Sequence, residues 1–496
     1  MRDLVKLHID GIWRDGERDQ QIDIIDPATE KIIGRVAMAS TRDVEDALTA
    51  AQRGFFAWRD LAVAERSKMI AQIGQLLRTR VDVISRDLTL EQGKTLAQAR
   101  GEVLATADYF TDLAQITTQV FGRIVPHGGQ GVTRSVTYEP IGPIFAVSPW
   151  NLPAMMPGRK IANSLAAGCS IIVKPAKETP ITAAAIAQCC ADAGVPPGVV
   201  NVVTGDSSRL STLIIASPII RKVSFTGSTD IGKQLAQLAG AHMKKTTMEL
   251  GGHAPVIVMD DVDVPAVVEA AVIARYSNAG QSCIAPTRFF VHESIYQNFA
   301  ALFTERVRDL RVGNGLDPQV QMGPLVSARR VLFMNELVSD AVQKGAKLLA
   351  GGARIGAVGH FFAPTVLAGV TDAAAIMTQE PFGPVTPVVA FRDVEAVIAR
   401  ANETPYGLAA YVFSSDLELA ARMVARIGAG MVGINSFSAA HPSVPFGGVK
   451  DSGIGREGTL DGVLESLVTK SISVGHCGRA QKPDRVSNPV TKSLSA

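Results

Sequence analysis

The chain reads as an α/β protein of two main lobes, and three observations lead there. Its 496 residues are too many for one small core, since domains usually hold ~100–200 residues. From residue 141, short β-branched runs alternate with helical patterns at the spacing of a parallel sheet wrapped on both faces. After Gly251-Gly252 a second alternating series begins.

Composition narrows the class. With 47% apolar and 19% charged residues, the chain buries a large core and is not disordered. Forty-nine Lys+Arg against 47 Asp+Glu leave +2, which argues against nucleic acid as a partner. Five cysteines, an odd number with no C-x-x-C pair, argue against a disulfide framework or zinc knuckle and for a reducing cytoplasm. No metal site is expected. Charges at Arg2, Asp3 and Lys6 replace the apolar run of a signal peptide. The longest apolar uncharged stretch, 140–158, carries five prolines, so no membrane partner is expected and the protein should be soluble.

The elements follow in order. A strand-and-turn region opens the chain (7–13, then Asp26-Pro27), and helical patterns cover 42–56 and 63–90. Val44, Ala47, Leu48, Ala51 and Phe55 make one helical stripe. The alternating series then predicts strand 141–147, helix 154–167 closed by Gly168, strand 170–173, helix 179–193, strand 199–203 and helix 208–216. Strand 222–225, helix 229–239 and strand 246–249 complete it. Strand 255–259, helix 264–278, strand 288–292 and helix 294–310 open the second lobe. Right-handed crossovers gather the loops after the strands on one edge, where ligands bind. The polar end, 480–496, reads as a flexible tail.

Cys283, in Asn278-Ala279-Gly280-Gln281-Ser282-Cys283, falls in a loop with small polar neighbours rather than on an apolar face. Cys169, Cys189 and Cys190 sit in apolar runs and read as inert core thiols, and Cys477 has nothing to activate it. A nucleophilic thiol needs a base. Glu249 ends an apolar strand before two glycines; burial there would raise its pKa toward a general base, although a carboxylate also simply terminates strands. Phe225-Thr226-Gly227-Ser228 turns from strand to helix and reads as a phosphate cradle or as ordinary capping. Lys174 and Lys177 follow a buried strand at the same edge, fit for an anionic or polyhydroxyl ligand or merely solvated. Asn151, between Pro149-Trp150 and Leu152-Pro153, offers an amide to an oxyanion or satisfies a turn.

These segments, with Glu380-Pro381-Phe382-Gly383-Pro384 and Pro445-Phe446-Gly447-Gly448 after them, occur in an order that resembles the NAD(P)-dependent aldehyde dehydrogenase superfamily over about residues 5–475. The resemblance implies a Rossmann-like cofactor domain (1–121 and 141–251), a second α/β catalytic domain (252–463) and a small β oligomerisation arm (122–140 and 464–479), with a homodimer or homotetramer. It implies that Cys283 attacks the aldehyde, that Asn151 and the Cys283 amide hold the oxyanion, and that Glu249 activates the water which releases a free acid. Trp150, Lys174, Gly227, Ser228, Leu250, Glu380 and Phe382 match cofactor positions. Lys177 stands where NAD-preferring relatives often carry glutamate, so NADP is expected to serve at least as well as NAD.

The substrate reading rests on fewer residues. Arg159 lies eight residues after Asn151, where succinate-semialdehyde dehydrogenases place an arginine for the distal carboxylate; it also reads as a structural ion pair. Two further anchors of that subfamily are replaced by Ser277 and Ala440, and its second cysteine by Ala285. Met155, Met156, Phe437 and His441 therefore suggest a wider, less polar tunnel for a bulkier semialdehyde, with an aryl or keto group. Two other classes stay open at this stage. A thiol hydrolase would use the Cys283–Glu249 pair without cofactor, and a binding protein would keep the fold without chemistry.

Overall fold

The computed structural model describes residues 2–126 and 132–475. Two compact units form: Met1–Gln119 with Pro140–Leu467, and Val120–Glu139 with the chain from Val468. In the second unit, Arg123–Val125 and Val132–Pro140 pair antiparallel, and Leu467–Gly475 lies on the other side of the latter strand. Lys470 bonds Glu139 across that pair. The tail at 480–496 and Cys477 lie outside the described residues.

The first unit carries the α/β architecture expected. Its eight-stranded sheet runs Gly453–Ile454, Lys245–Glu249, Lys222–Thr226, Ile144–Val147, Ile171–Lys174, Val200–Val202, Leu7–Ile9 and Ile12–Arg14. The five strands from 245–249 to 200–202 are parallel. All four residues of Ile171–Lys174 are buried, the signature of a strand covered on both faces. From Ile144–Val147 the chain builds outward one way, then returns to its other side with Lys222–Thr226. That reversal leaves a crevice at the carboxyl ends of the strands.

The helices largely follow the expected pattern. Met155–Ala166 is closed by Gly168 at φ +83°, a left-handed stop that glycine adopts freely. The pattern over 63–90 is two helices, Val63–Thr79 and Val81–Gln92, broken at Arg80. A helix absent from the sequence reading, Leu96–Ile116, packs on Met155–Ala166. Gly158 allows the approach, because a Cβ there would stand 2.5 Å from Thr106 Cγ2. Arg2–Val5, Ile32–Met38 and Glu17–Ile25 form a small sheet that the sequence reading also missed.

The second large sheet orders Lys347–Ala350, Thr365–Ala368, Val385–Phe391, Pro286–His292, Ala254–Val258, Ala409–Phe413 and Met431–Ile434. All but the first are parallel. Phe289, Phe299 and Phe303 stack in its core. The 252–463 segment is not wholly this lobe's, however. Gly453–Ile454 pairs antiparallel with Met248-Glu249 in the first sheet, and Thr459–Leu464 packs on helices of the first lobe. Gly453 permits it, since any Cβ there would lie 2.1 Å from the Met248 carbonyl oxygen. No described helix is long and apolar enough to cross a membrane.

Candidate active site

Four segments singled out in the sequence meet at one edge because of strand register. Val147, just before Trp150-Asn151, pairs with Lys174; Phe225 pairs with Val147; Thr226, before Gly227-Ser228, pairs with Glu249. Parallel strands in register end together, so their following loops share the crevice. Cys283 approaches from the other lobe, three residues before the strand Pro286–His292.

The loop before Cys283 is an unusual piece of backbone. Asn278, Ala279 and Gly280 take φ of 51°, 53° and 70° in succession, and left-handed non-glycine residues are costly enough to be kept mainly at functional sites. Gly252 lies beneath the loop: a Cβ there would stand 2.3 Å from the Cys283 carbonyl oxygen. Cys169, Cys189 and Cys190 are buried, whereas Cys283 is partly exposed. With Ala439 and Ala440, it packs against the buried cluster of Leu408, Met431 and Phe446. Lost hydration pushes the thiol up to about 12, with the charges of Glu380 and Glu249 adding and Arg159 opposing. At neutral pH the resting group is therefore a thiol, and a proton must leave it for attack.

Asn151 is buried and donates through Nδ2 to the Gln281 carbonyl at 3.0 Å. An amide carries two donor hydrogens, so one remains free of that bond. Its own carbonyl oxygen accepts from Lys94 Nζ at 2.8 Å and from Asn278 Nδ2 at 2.9 Å. Lys94 pairs with Glu102 inside the protein, and Glu102 also accepts from the amides of Ala154 and Met155, which start the helix carrying Arg159. Sequence reasoning missed Gln92, Lys94, Glu102 and Asn278. The one available signal was the run Glu91-Gln92-Gly93-Lys94 at a helix end.

Glu249 is buried, and neither carboxylate oxygen has a hydrogen-bond partner. Burial raises its pKa well above the usual range; the Glu457 charge adds to this, and Lys160 and Arg159 oppose it. Against its own burial, Glu457 is held below its ordinary value by Lys160 and Arg159. Two nearby carboxylates with divided environments supply one protonated and one ionised group.

Arg159 is 6% exposed, and its Nε and Nη1 have no partner. The guanidinium lies 4.3 Å from the Phe446 ring centre and 5.0 Å from that of Tyr109. Among the described residues it makes no direct ion pair, although its charge lowers the pKa of both Glu249 and Glu457. Met156 is buried in the same helix. Phe437 stacks on Tyr411 and Phe413, and the Tyr411 hydroxyl donates to the Ile284 carbonyl beside the nucleophile. Phe437 thus backs the loop through Tyr411. His441 is exposed and bonds Ser443.

Trp150 meets Phe382 edge-on at 5.4 Å across the lobes. Glu380 accepts from the Gly252 amide at 2.9 Å, and burial pushes it up to about 7 despite that bond and Arg330. Leu250 is buried against Gly232. Lys174 is buried and lowered to about 8 by lost hydration, with Glu178 and Asp206 pulling the other way; Lys177 is exposed nearby. Ser228 stands at the start of helix Thr229–Ala241 but its hydroxyl makes no capping bond. These features fit a dinucleotide. Gly227 and Gly251 keep the backbone open, since a Cβ would stand 2.4 Å from the Phe225 ring and 2.7 Å from Glu380 Oε2 respectively.

Comparison with known proteins agrees with this arrangement. The profile of the aldehyde dehydrogenase family matches residues 13–472. A putative 4-(hydroxymethyl)benzenesulfonate dehydrogenase of Comamonas testosteroni is 41% identical, covering 94% of this chain and 97% of its own. A glutarate-semialdehyde dehydrogenase of Pseudomonas putida is 39% identical over 95% and 97%. The crystal structure of an E. coli NADP-dependent enzyme superposes with a TM-score of 0.93 at 38% identity, covering 95% of this chain and 98% of that one. A partly exposed thiol, a buried carboxylate and a dinucleotide edge meet in a chain of this ancestry: it belongs to the aldehyde dehydrogenase family and oxidises an aldehyde with NAD or NADP.

Proposed function

We propose that the substrate is an aldehyde bearing a distal anion, carboxylate or sulfonate, on a body bulkier than succinate semialdehyde, and that NADP serves at least as well as NAD. The observation that carries the first part is Arg159. A buried guanidinium with two unpartnered nitrogens is costly unless a ligand satisfies it, and planar anions fit its fork. Tyr109 and Phe446 flank it, which suits an aromatic or otherwise extended substrate body. Ser277 and Ala440, in place of two polar anchors, leave the wall near Cys283 wider and less polar. Two relatives are named for a sulfonated benzyl compound and a five-carbon semialdehyde, both with a distal anion. Lys177 supports the second part, since its charge attracts a 2′-phosphate where an acid would repel one.

In this reading Cys283 Sγ adds to the carbonyl carbon, and its proton leaves for a base. Asn151 Nδ2 and the Cys283 amide hold the developing oxyanion. When bound, NAD(P) supplies the hydride acceptor, and the residues that would hold it are Trp150, Lys174, Lys177, Gly227, Ser228, Leu250, Glu380 and Phe382. Glu249 then takes a proton from the water that hydrolyses the Cys283 thioester, and the acid departs. Met156 and Phe437 shape the pocket, with His441 at its outer side. The strands around 122–140 and from Leu467 would mediate a homo-oligomer, and a reducing cytoplasm would keep Cys283 a thiol.

The test is NAD(P)H formation across neutral aliphatic, carboxylated and sulfonated aromatic aldehydes, each with both cofactors. Highest kcat/KM on the anionic aromatic members with NADP is expected. A preference for neutral aldehydes, or a strong preference for NAD, would refute the corresponding half.

A further inference from the structure

Asn278 ties the two halves of the reaction centre together. It is buried, and its Nδ2 donates both to the Asn151 carbonyl at 2.9 Å and to the Gln281 carbonyl at 3.2 Å. Asn151 Nδ2 donates to that same Gln281 carbonyl. The bonds form a closed ring between the oxyanion segment of one lobe and the nucleophile loop of the other. Gln92 fixes the ring from behind: its Nε2 donates to Asn278 Oδ1 at 2.9 Å, and its Oε1 accepts from the Lys94 amide. Lys94 Nζ in turn reaches the Asn151 carbonyl. Gln98 Oε1 and the Gln281 side chain hold the Asn278 backbone. Apart from the half-buried Gln98, each of these polar side chains is buried and bonded, the condition under which such a network specifies one geometry.

We propose that Asn278 and Gln92 are positioning residues that set the register of the Asn151 amide against Cys283, so that the oxyanion donor is in place before the aldehyde arrives. This rests on the role of Asn151 given above. The left-handed backbone at Asn278 follows from the same demand, because it turns the side chain toward two carbonyls at once, and asparagine tolerates that region better than most residues. Neither residue touches substrate, so their effect is indirect.

Asn278→Gly, Asn278→Ala and Gln92→Met separate the possibilities. Glycine keeps the left-handed backbone without strain and deletes the ring. Each variant is measured for NADP affinity by fluorescence, for kcat on the best aldehyde, and for the rate of Cys283 alkylation by iodoacetamide. Alkylation needs the thiol but develops no oxyanion. The expectation is a fall in kcat of about 10²-fold for both Asn278 variants and about tenfold for Gln92→Met, the scale of ~1 Å misplacement. NADP affinity and alkylation should stay within about threefold of wild type, since neither uses the oxyanion site. Undiminished kcat overturns the proposal, and so does activity in Asn278→Gly with loss in Asn278→Ala, which would report backbone strain alone. Alkylation falling in step with kcat would mean a disordered loop and also overturns it. Should the Asn278 variants fail to fold, Gln92→Met decides by the same readouts. Wild type run alongside keeps the two readings apart: no turnover by wild type defeats the assigned chemistry, whereas wild-type turnover with unaffected variants defeats the positioning role alone.

Discussion

Lys160 is bonded to Glu457 at 2.6 Å and leaves Glu249 without a partner. Ser224 Oγ takes a second donor bond from the same ammonium. The cation thus ionises one carboxylate of the pair and burdens the other with its neighbour's charge.

Glu249 should therefore limit turnover at low pH. Its pKa is raised, so the basic form appears only as pH rises through that value, and a deacylation-limited kcat should climb across the neutral to alkaline range. Glu249→Gln is expected to lose about 10²–10⁴-fold, the usual share of a general base, and to flatten that limb. Glu457→Gln removes the neighbouring negative charge that adds to the rise, so its limb should move toward acid. Profiles of kcat against pH for the three proteins are the check.

Arg159→Met should discriminate between substrates. For aldehydes with a distal anion, kcat/KM is expected to fall about 10²-fold, as for a desolvated charge pair losing one partner; neutral aldehydes should change far less. Equal losses on both classes in steady-state assays would assign Arg159 to the electrostatics of Glu249 and Cys283 instead.

Lys177→Glu should turn the cofactor preference toward NAD. Because Lys177 is exposed, its attraction to a 2′-phosphate is screened, and the wild-type ratio of NADP to NAD kcat/KM should fall between about 0.05 and 0.5 M salt. Ratios of kcat/KM for the two cofactors at each ionic strength read out both effects.

Gly252→Ala tests the floor of the nucleophile loop. The new methyl would collide with the Cys283 carbonyl oxygen and press on Leu408 Cβ at 3.1 Å. The loop must shift, and a displacement near 1 Å costs about 10²-fold in kcat. Thermal denaturation beside the kinetics should show a far smaller loss of stability than of rate.

Glu91 offers a prediction about stability. It is buried beneath helix Pro180–Asp192, where it accepts from the amides of Ile181 and Thr182. A helix start favours the anion, yet lost hydration wins and pushes it up to about 8. The native state thus binds a proton that the unfolded chain has released, so this contribution is full below the ordinary carboxylate range and is lost as pH rises toward 8. Glu91→Gln should flatten the decline of Tm between pH 5 and pH 9, against about 4.3 for an ordinary glutamate.

Much of this was legible in the residues themselves. Ile171-Ile172-Val173 announced a strand buried on both faces, and Gly168 and Gly227 marked the turns that follow helix and strand. The order of motifs joined Cys283, Glu249 and Asn151 before any geometry was available. What stayed hidden depends on long-range partners. Glu17–Ile25 is polar enough to pass for a loop, and it is a strand because Ile32–Met38 pairs with it. Lys94 and Glu102 are residue types that usually face solvent, yet each is buried because the other neutralises it. Arg159 left two readings in the sequence; its surroundings are two aromatic rings with no direct ion pair, and its charge reaches Glu249 and Glu457 through space.

The short strand Gly453–Ile454 has a bearing on how the enzyme is made. During synthesis the strand that carries Glu249 stays at a bare sheet edge until these two late residues leave the ribosome, and an unpaired edge invites other chains. Glu249 acquires its final backing, through the Gly453 pairing and the Leu250 amide's bond to Ser452, nearly last. A chain cut short of residue 453 would carry Cys283, Glu249 and Asn151 and still be expected to emerge inert and prone to stick.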